Sequence, residues 1–131
     1  MQKGIGLKMK DFYFRMLTRV RYGVGISSKI ADFAKEMGGS KIFVIADKIL
    51  LETDTLQGVF ESFEKAGMEY ELFTDIVPEP PVKVVDEVSS VMRRVGCNLC
   101  VAIGGGSTID TAKAVCMLQT HEGSVKDYLF G

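Results

Sequence analysis

Short apolar runs alternate with amphipathic segments along most of this 131-residue chain, and this alternation constrains the fold more than any other feature. Residues 41–46 and 99–103 are almost wholly apolar, and turn residues bound each run. Runs of this length are typical of strands buried on both faces of a sheet. Residues 69–74 alternate between polar and apolar side chains, which predicts a strand nearer an edge. Apolar residues recur at helical spacing in four further segments, at about 27–37, 55–66, 82–95 and 107–119.

The order of these segments predicts an α/β fold. Strands that alternate with helices of this length form βαβ units, and therefore a Rossmann-like parallel sheet covered by helices. Because the crossovers are right-handed, all strands end at one edge of the sheet, where such folds bind ligands. Asp47 follows the first apolar run, and three glycines at 104–106 follow the last. We therefore expect both groups to face the same edge.

The first part of the chain is predicted to differ from this pattern. Residues 11–16 and 19–24 are rich in aromatic and β-branched side chains, which favours two extended segments in a β-hairpin at the edge of the fold. Residues 1–10 carry lysines and lack the apolar segment of a secretory signal, so we interpret them as a tail. Residues 11–131 would then form one α/β domain.

Charge and composition exclude several classes of function. Sixteen Lys and Arg residues balance seventeen Asp and Glu residues, so no basic excess is present to bind nucleic acid. The apolar runs are far shorter than the ~20 residues that cross a bilayer, so we expect no membrane partner. Three cysteines, an odd and low number, indicate free thiols in a reducing compartment, which favours the cytoplasm.

The segment from Gly104 to Ser107 carries the most chemical information. A buried strand runs into three glycines and then a helix, so backbone N–H groups can approach an anion closely and the helix N-terminus adds free donors. Ser107 can cap the helix or donate its hydroxyl to a phosphate oxygen. The segment is neither a G-x-G-x-x-G fingerprint nor a P-loop. The alternative interpretation is a tight strand-to-helix turn that binds no ligand.

Three charged residues near this edge are candidate binding residues, weighed against a purely structural role. The carboxylate of Asp47 can accept both hydroxyls of an adenine ribose and repel a 2′-phosphate, or it can cap a turn. Asp110 and Lys113 lie three residues apart on the predicted helix. Taken by themselves, they are best explained as a surface ion pair.

Residues 104–113, GGGSTIDTAK, resemble the GGGSxxDxAK signature of the iron-containing (group III) alcohol dehydrogenases. Four other segments resemble family motifs in the same order along the chain, namely 21–25 (RYGVG), 44–48 (VIADK), 67–70 (GMEY) and 78–80 (PEP). Leu17 and the segment at 79–81 depart from the family pattern. Leu17 replaces the usual Pro, and Glu79-Pro80-Pro81 replaces N-P-T.

The resemblance implies a role for each candidate residue. Gly104, Gly105, Gly106 and Ser107 would form the turn that holds the cofactor pyrophosphate, and Asp47 would favour NAD over NADP. Asp110 would lie near the nicotinamide side of the cleft, and Lys113 would orient the turn.

The resemblance also implies a metal site for which this sequence lacks the ligands. Family members hold iron or zinc with one Asp and three His in a second, helical domain, whereas this sequence has a single histidine, His121. We therefore expect the nucleotide-binding domain of an NAD-dependent, metal-dependent alcohol dehydrogenase, inactive alone and without metal on this chain. We also expect it to form a homo-oligomer through the hairpin or the exposed cleft face. The alternative is a non-enzymatic nucleotide-binding or self-associating domain.

Cys97 and Cys100 have the C-x-x-C spacing of redox and zinc motifs. A redox pair normally begins a helix, whereas Cys100 falls inside a predicted buried strand, where a thiol behaves as a small apolar group. A zinc site from these two with Cys116 and His121 has the right number of ligands but scattered positions. We disfavour both the redox and the zinc interpretation.

Overall fold

The computed structural model describes residues 13–128 and contains four α-helices and three strands in that range. The helices are α1 (Ile30–Glu36), α2 (Asp54–Lys65), α3 (Val82–Arg94) and α4 (Gly106–Thr120). The strands are β1 (Lys41–Ala46), β2 (Glu69–Phe73) and β3 (Leu99–Ile103). Short 3-10 turns occupy Ile26–Lys29, Lys48–Leu50 and Val125–Tyr128. Every predicted helix and central strand is present, with boundaries that differ by a few residues at most.

The three strands form a parallel sheet in the order β2-β1-β3, which confirms the predicted α/β architecture. In the register, Ile42 of β1 lies opposite Tyr70 on one side and Leu99 on the other. Residues 42–46 of β1 are at most 1% exposed. The apolar run 41–46 therefore forms the central strand, covered on both faces.

Helices cover the two faces of the sheet in pairs. Alternate β1 residues Ile42 and Val44 pack with α1 and α2 in one apolar cluster, around Phe63. Phe43 and Ile45 point the other way and pack with α3 and α4. This two-sided packing explains why β1 has no polar alternation, since each face of the strand meets a helix layer.

β3 differs from the prediction of a fully buried strand. All five of its residues, Leu99–Ile103, are only half-buried. The reason is the strand order, which gives β3 one neighbour, β1, so that its other side is an edge of this sheet. An apolar run indicates that a strand is buried without indicating how many strands flank it.

Asn98 joins the start of β1 to the start of β3. Its Oδ1 accepts hydrogen bonds from the backbone N–H groups of Ser40 (2.9 Å) and Lys41 (3.2 Å). Its Nδ2 donates to the carbonyl oxygen of Gly38 at 3.2 Å. One side chain therefore satisfies three backbone groups in the turn that leads into the central strand.

The predicted N-terminal hairpin is not found. Residues 13–24 contain no strand, while residues 11 and 12 of the prediction lie outside the described residues. Arg21 instead contacts α1, where its guanidinium lies 2.7 Å from Glu36 and 4.4 Å from the centre of the Phe33 ring. Because aromatic and β-branched side chains favour strands only where they pack against a neighbour, the pattern was an unreliable guide here. The side chain of Tyr22, for example, is 97% exposed.

None of the helices in residues 13–128 has both the length and the apolar content needed to cross a membrane.

Candidate functional site

Asp47 and the glycine turn lie side by side at the carboxyl edge of the sheet. Ala46, the last residue of β1, is in register with Ile103, the last residue of β3. The backbone N–H of Asp47 donates to the carbonyl oxygen of Ile103 at 3.1 Å. The strand order therefore brings together two groups that are more than fifty residues apart in the chain, as the topology predicted.

The side chain of Asp47 caps the 3-10 turn that follows β1. Its Oδ1 accepts a hydrogen bond from the backbone N–H of Ile49 at 3.1 Å. The capping interpretation is thus confirmed for one carboxylate oxygen. Within residues 13–128, the other oxygen has no hydrogen-bond partner, and the residue is only half-buried. Capping and ligand binding are therefore compatible at this position.

The three glycines have different structural requirements. Gly104 has φ 155°, and a Cβ there would lie 2.6 Å from the hydroxyl oxygen of Thr108, so only glycine fits. Gly105 is the N-cap of α4 with an ordinary φ of −82°. A Cβ on Gly105 or Gly106 would meet no atom within 4 Å. The backbone at the helix start is therefore open, and its first N–H groups have no acceptor within the helix.

Ser107 is not the helix cap. It is the second residue of α4, and the N-cap residue Gly105 makes no side-chain hydrogen bond. The Ser107 carbonyl accepts from the Thr111 hydroxyl at 2.7 Å, and the residue is exposed. The phosphate-donor interpretation of its hydroxyl is the one that the structure leaves open.

A cavity of about 290 Å³ lies between the start of α3 and the start of α4. It is lined by Glu79, Pro80, Val82, Val85, Ser107, Asp110, Thr111 and Ala114. The walls are mainly apolar, and two carboxylates flank them. Of the predicted site residues, only Ser107 and Asp110 line this cavity.

Glu79 is a cavity residue that sequence reasoning did not select. It adopts φ 48°, the only positive φ at a non-glycine residue in residues 13–128. Prolines at 78 and 80 flank it. The sequence did show that residues 79–81 depart from the family pattern. That departure marked the segment as unusual but did not indicate that it lines a cavity.

Asp110 and Lys113 do not form the predicted ion pair. Salt bridges join residues four apart on other helices, Glu61 with Lys65 and Lys83 with Glu87, but none within residues 13–128 joins Asp110 to Lys113. Both side chains are exposed. The ion-pair interpretation is therefore wrong in this structure.

No group of three or more His, Cys, Asp or Glu side chains in the described part of the chain is arranged to hold a metal ion. The scattered set of three cysteines and His121 does not converge. His121 follows α4 as an exposed residue, and its Nδ1 lies 3.0 Å from the Met117 carbonyl oxygen. The donor set that the family uses for iron is not available among residues 13–128.

The fold and its edge define this chain as an α/β domain with a parallel sheet and a glycine-rich turn at the carboxyl end of a strand. A sequence model of the iron-containing alcohol dehydrogenases matches residues 18–131. The chain therefore belongs to the iron-containing alcohol dehydrogenase family.

Individual relatives agree with this assignment. The chain is 38% identical to a choline dehydrogenase of Bacillus subtilis over 121 residues. This alignment covers 92% of this chain and 30% of the relative. The structure of NADH-dependent butanol dehydrogenase A from Thermotoga maritima superposes with a TM-score of 0.82 and 28% identity, covering 91% of this chain and 30% of that one. A sulfoacetaldehyde reductase from Bifidobacterium kashiwanohense, solved in complex with NAD⁺, gives a TM-score of 0.80 and 26% identity, covering 92% and 31%. The chain thus spans about 30% of the length of the relatives that it matches.

Proposed function

We propose that this chain is the nucleotide-binding domain of an NAD-dependent alcohol dehydrogenase and that NAD binds at the carboxyl edge of its sheet. The observation that carries the proposal is the adjacency of Asp47 to the glycine turn, through the 3.1 Å hydrogen bond from Asp47 N to Ile103 O. A dinucleotide needs an anion site for its pyrophosphate and an acceptor for its ribose hydroxyls, and this edge offers both.

The pyrophosphate would bind at the turn that Gly104 bends and that Gly105, Gly106 and Ser107 complete. The open space over Gly105 and Gly106 admits a phosphate group close to the backbone. The unsatisfied N–H groups of the first turn of α4 and the Ser107 hydroxyl are the donors. This is the same turn that carries the family signature in residues 104–113.

Asp47 would select NAD over NADP. The carboxylate oxygen that is not engaged with Ile49 would accept hydroxyl groups of the adenine ribose. A 2′-phosphate in the same place would meet a negative charge.

Asp110 and Lys113 have lesser proposed roles. Asp110 lines the cavity beside Ser107 and would lie near the nicotinamide side of the cleft. Lys113 would help to orient the glycine turn. No contact with the described residues holds either side chain in an ion pair, so both are free to respond to a bound anion or ribose.

In the whole enzyme, bound NAD would accept a hydride from an alcohol carbon. This chain's own residues bind and orient the dinucleotide. The described side chains do not form a set that fits iron. The alternative is a non-enzymatic nucleotide-binding or self-associating domain. A nucleotide-binding domain of this kind would also bind NADH in the test below, but it would not belong to an enzyme that oxidises alcohols.

The proposal is tested by titration with NADH, followed by nucleotide fluorescence, on the wild type and Gly105→Val. Gly105 has a negative φ, and a Cβ added there would meet no atom within 4 Å. The Gly105→Val protein should therefore fold. Its branched side chain would cover the helix N-terminus, so we expect NADH affinity to fall by at least tenfold, about 1.4 kcal/mol.

Gly58→Val is the matched control. Gly58 lies in the middle of α2, where a Cβ also meets nothing within 4 Å. This variant should bind NADH as the wild type does. A folded Gly105→Val protein with wild-type affinity for NADH would refute the proposed phosphate site.

A further inference from the structure

The cavity between the starts of α3 and α4 has an apolar interior. Its walls include Val85, which is 5% exposed, and the half-buried residues Val82 and Ala114. The buried residue Thr111 also lines the cavity, but its hydroxyl is already engaged, since it donates to the Ser107 carbonyl at 2.7 Å. The interior therefore offers a ligand mainly apolar contact.

Two carboxylates flank this interior from different elements. Glu79 lies in the turn before α3, and Asp110 lies one turn into α4. Within residues 13–128, neither carboxylate forms a salt bridge or a side-chain hydrogen bond. Of the lysines nearest to them in sequence, Lys83 pairs with Glu87 at 3.8 Å, and Lys113 makes no salt bridge with Asp110. Two unpaired negative charges thus stand beside an apolar space, where they attract a positive group and repel an anion.

This combination favours an alkylated cation over other positive ligands. Metal ions are held by several ligand side chains, and the described residues contain no group of three or more His, Cys, Asp or Glu arranged to hold one. A primary ammonium is strongly hydrated and therefore gains little from apolar walls. A quaternary ammonium carries alkyl groups on its charged nitrogen, so it gains both from burial of apolar surface and from the two carboxylates.

The size of the cavity agrees with such a ligand. Its volume of about 290 Å³ is roughly twice the ~150 Å³ of an apolar cavity that holds a benzene molecule. A nitrogen with three or four methyl groups has fewer heavy atoms than benzene and therefore fits.

We propose that this cavity binds a quaternary ammonium group, with Glu79 and Asp110 as its counter-charges, and that this group is the remote end of the alcohol substrate. The assignment to the substrate rests on the proposed function, because Ser107 lines the cavity and also belongs to the glycine turn proposed to bind NAD. An alcohol anchored here by its charged end would extend its hydroxyl-bearing carbon towards the nicotinamide.

The first measurement titrates the chain with tetramethylammonium chloride and follows the methyl resonances of Val82, Val85 and Ala114 by NMR. We expect saturable shifts at these methyl groups, with a dissociation constant on the order of millimolar. The uncharged molecule tert-butanol, which is of similar size, should bind much more weakly at the same ionic strength. Absence of saturable shifts with tetramethylammonium would overturn the proposal, as would equal affinity for tert-butanol.

Glu79→Gln removes one negative charge and keeps the length of the side chain. We expect the affinity for tetramethylammonium to fall by roughly two- to fivefold, the usual effect of one exposed charge pair, and further in Glu79→Gln/Asp110→Asn. Asp32→Asn is the matched control for net charge, because Asp32 is an exposed carboxylate on α1, which packs on the opposite face of the sheet. The control should bind tetramethylammonium as the wild type does. Unchanged affinity in the folded double variant would overturn the role of the carboxylates.

Ala114→Leu tests the apolar part of the site. The larger side chain keeps both carboxylates but occupies part of the cavity, so tetramethylammonium binding should be lost. Thermal melting shows whether the variant folds, and the Glu79→Gln series decides the outcome independently. A folded Ala114→Leu protein with wild-type affinity for tetramethylammonium would overturn the placement of the cation in this cavity.

A titration with NADH present separates this inference from the proposed function. Tetramethylammonium should keep its affinity when NADH is bound, because its cavity lies beside the phosphate site and not in it. Competition between the two ligands would overturn the assignment of the cavity to the substrate. A chain that binds NADH but not tetramethylammonium would overturn this inference and leave the proposed function standing. A chain that binds tetramethylammonium but not NADH would overturn the proposed function and, with it, the link between the cation site and an alcohol substrate.

Discussion

At the scale of single residues, Asp47 combines a structural contact with a proposed binding contact. Its Oδ1 caps the turn after β1 through Ile49, and its other oxygen is proposed to bind ribose. The two roles can be separated by substitution, because asparagine is as good a cap as aspartate but carries no charge.

We predict that Asp47→Gly weakens NAD binding by about 1–3 kcal/mol, the usual cost of losing a charged hydrogen-bond partner. The discrimination against NADP should fall in the same variant, since the repulsion of the 2′-phosphate is removed. Affinities for both nucleotides by calorimetry provide the measurement.

Asp47→Asn distinguishes binding from folding. It should keep the thermal stability of the wild type, because the cap is retained, yet should also bind NADP more tightly relative to NAD. Unchanged NAD affinity in Asp47→Gly would remove Asp47 from the ribose site.

At the scale of elements, Asn98 holds the turn that leads into the central strand β1. It makes three hydrogen bonds to backbone groups of residues 38, 40 and 41. Since the residue is exposed, water replaces part of what is lost on substitution, and each bond contributes less than a buried one.

We predict that Asn98→Ala lowers the free energy of unfolding by about 1–2 kcal/mol. Urea denaturation followed by circular dichroism measures this change. Asn98→Asp is an informative companion, because it keeps the acceptor oxygen for Ser40 and Lys41 while losing the donor to Gly38. A stability equal to that of the wild type in Asn98→Ala would show that the turn is held by other contacts.

At the scale of the whole molecule, several apolar surfaces are exposed. The side chains of Tyr13, Phe14, Leu17, Val20, Tyr22 and Val24 are all more than two-thirds exposed. In addition, β3 has an edge with no strand beside it in residues 13–128. Exposed apolar patches and free strand edges are the usual sites of association.

We therefore predict a dimer or larger species at ~100 μM, well above a micromolar self-affinity. Because the structure shows no hairpin in residues 13–24, the contact would use these exposed side chains and the β3 edge. Light scattering coupled to size exclusion measures the mass. A monomer across the whole concentration range would contradict the prediction.

The second prediction at this scale is that the chain alone gives no alcohol-dependent formation of NADH. Placing an alcohol beside the nicotinamide contributes up to about 7–11 kcal/mol to such a reaction. Added Fe²⁺ or Zn²⁺ should not restore activity, since the sequence has one histidine and the described side chains form no metal cluster.

The assay measures NADH absorbance with small alcohols at high protein concentration, with and without metal. Metal-dependent turnover by a sample whose intact mass matches this chain would contradict the prediction. Retention of NADH binding in the same sample would show that inactivity does not come from misfolding.

The sequence by itself predicted the features that depend on burial or backbone geometry within a few consecutive residues. The apolar run at 41–46 marked the central strand, because a strand covered on both faces has no place for polar side chains. Helical spacing of apolar residues located all four helices. The glycines at 104–106 marked the turn, since Gly104 has no room for a Cβ. Strand–helix alternation also correctly placed Asp47 and this turn at one edge.

Tertiary structure decided what depends on neighbours distant in the chain. The half-burial of β3 follows from strand order, which a single apolar run does not encode. Residues 13–24 form no strand, and Arg21 in this segment lies against Phe33 and Glu36 of α1, which its local sequence does not encode. In each case the deciding energy comes from contacts between elements, which exist only once the sheet and its helices have assembled.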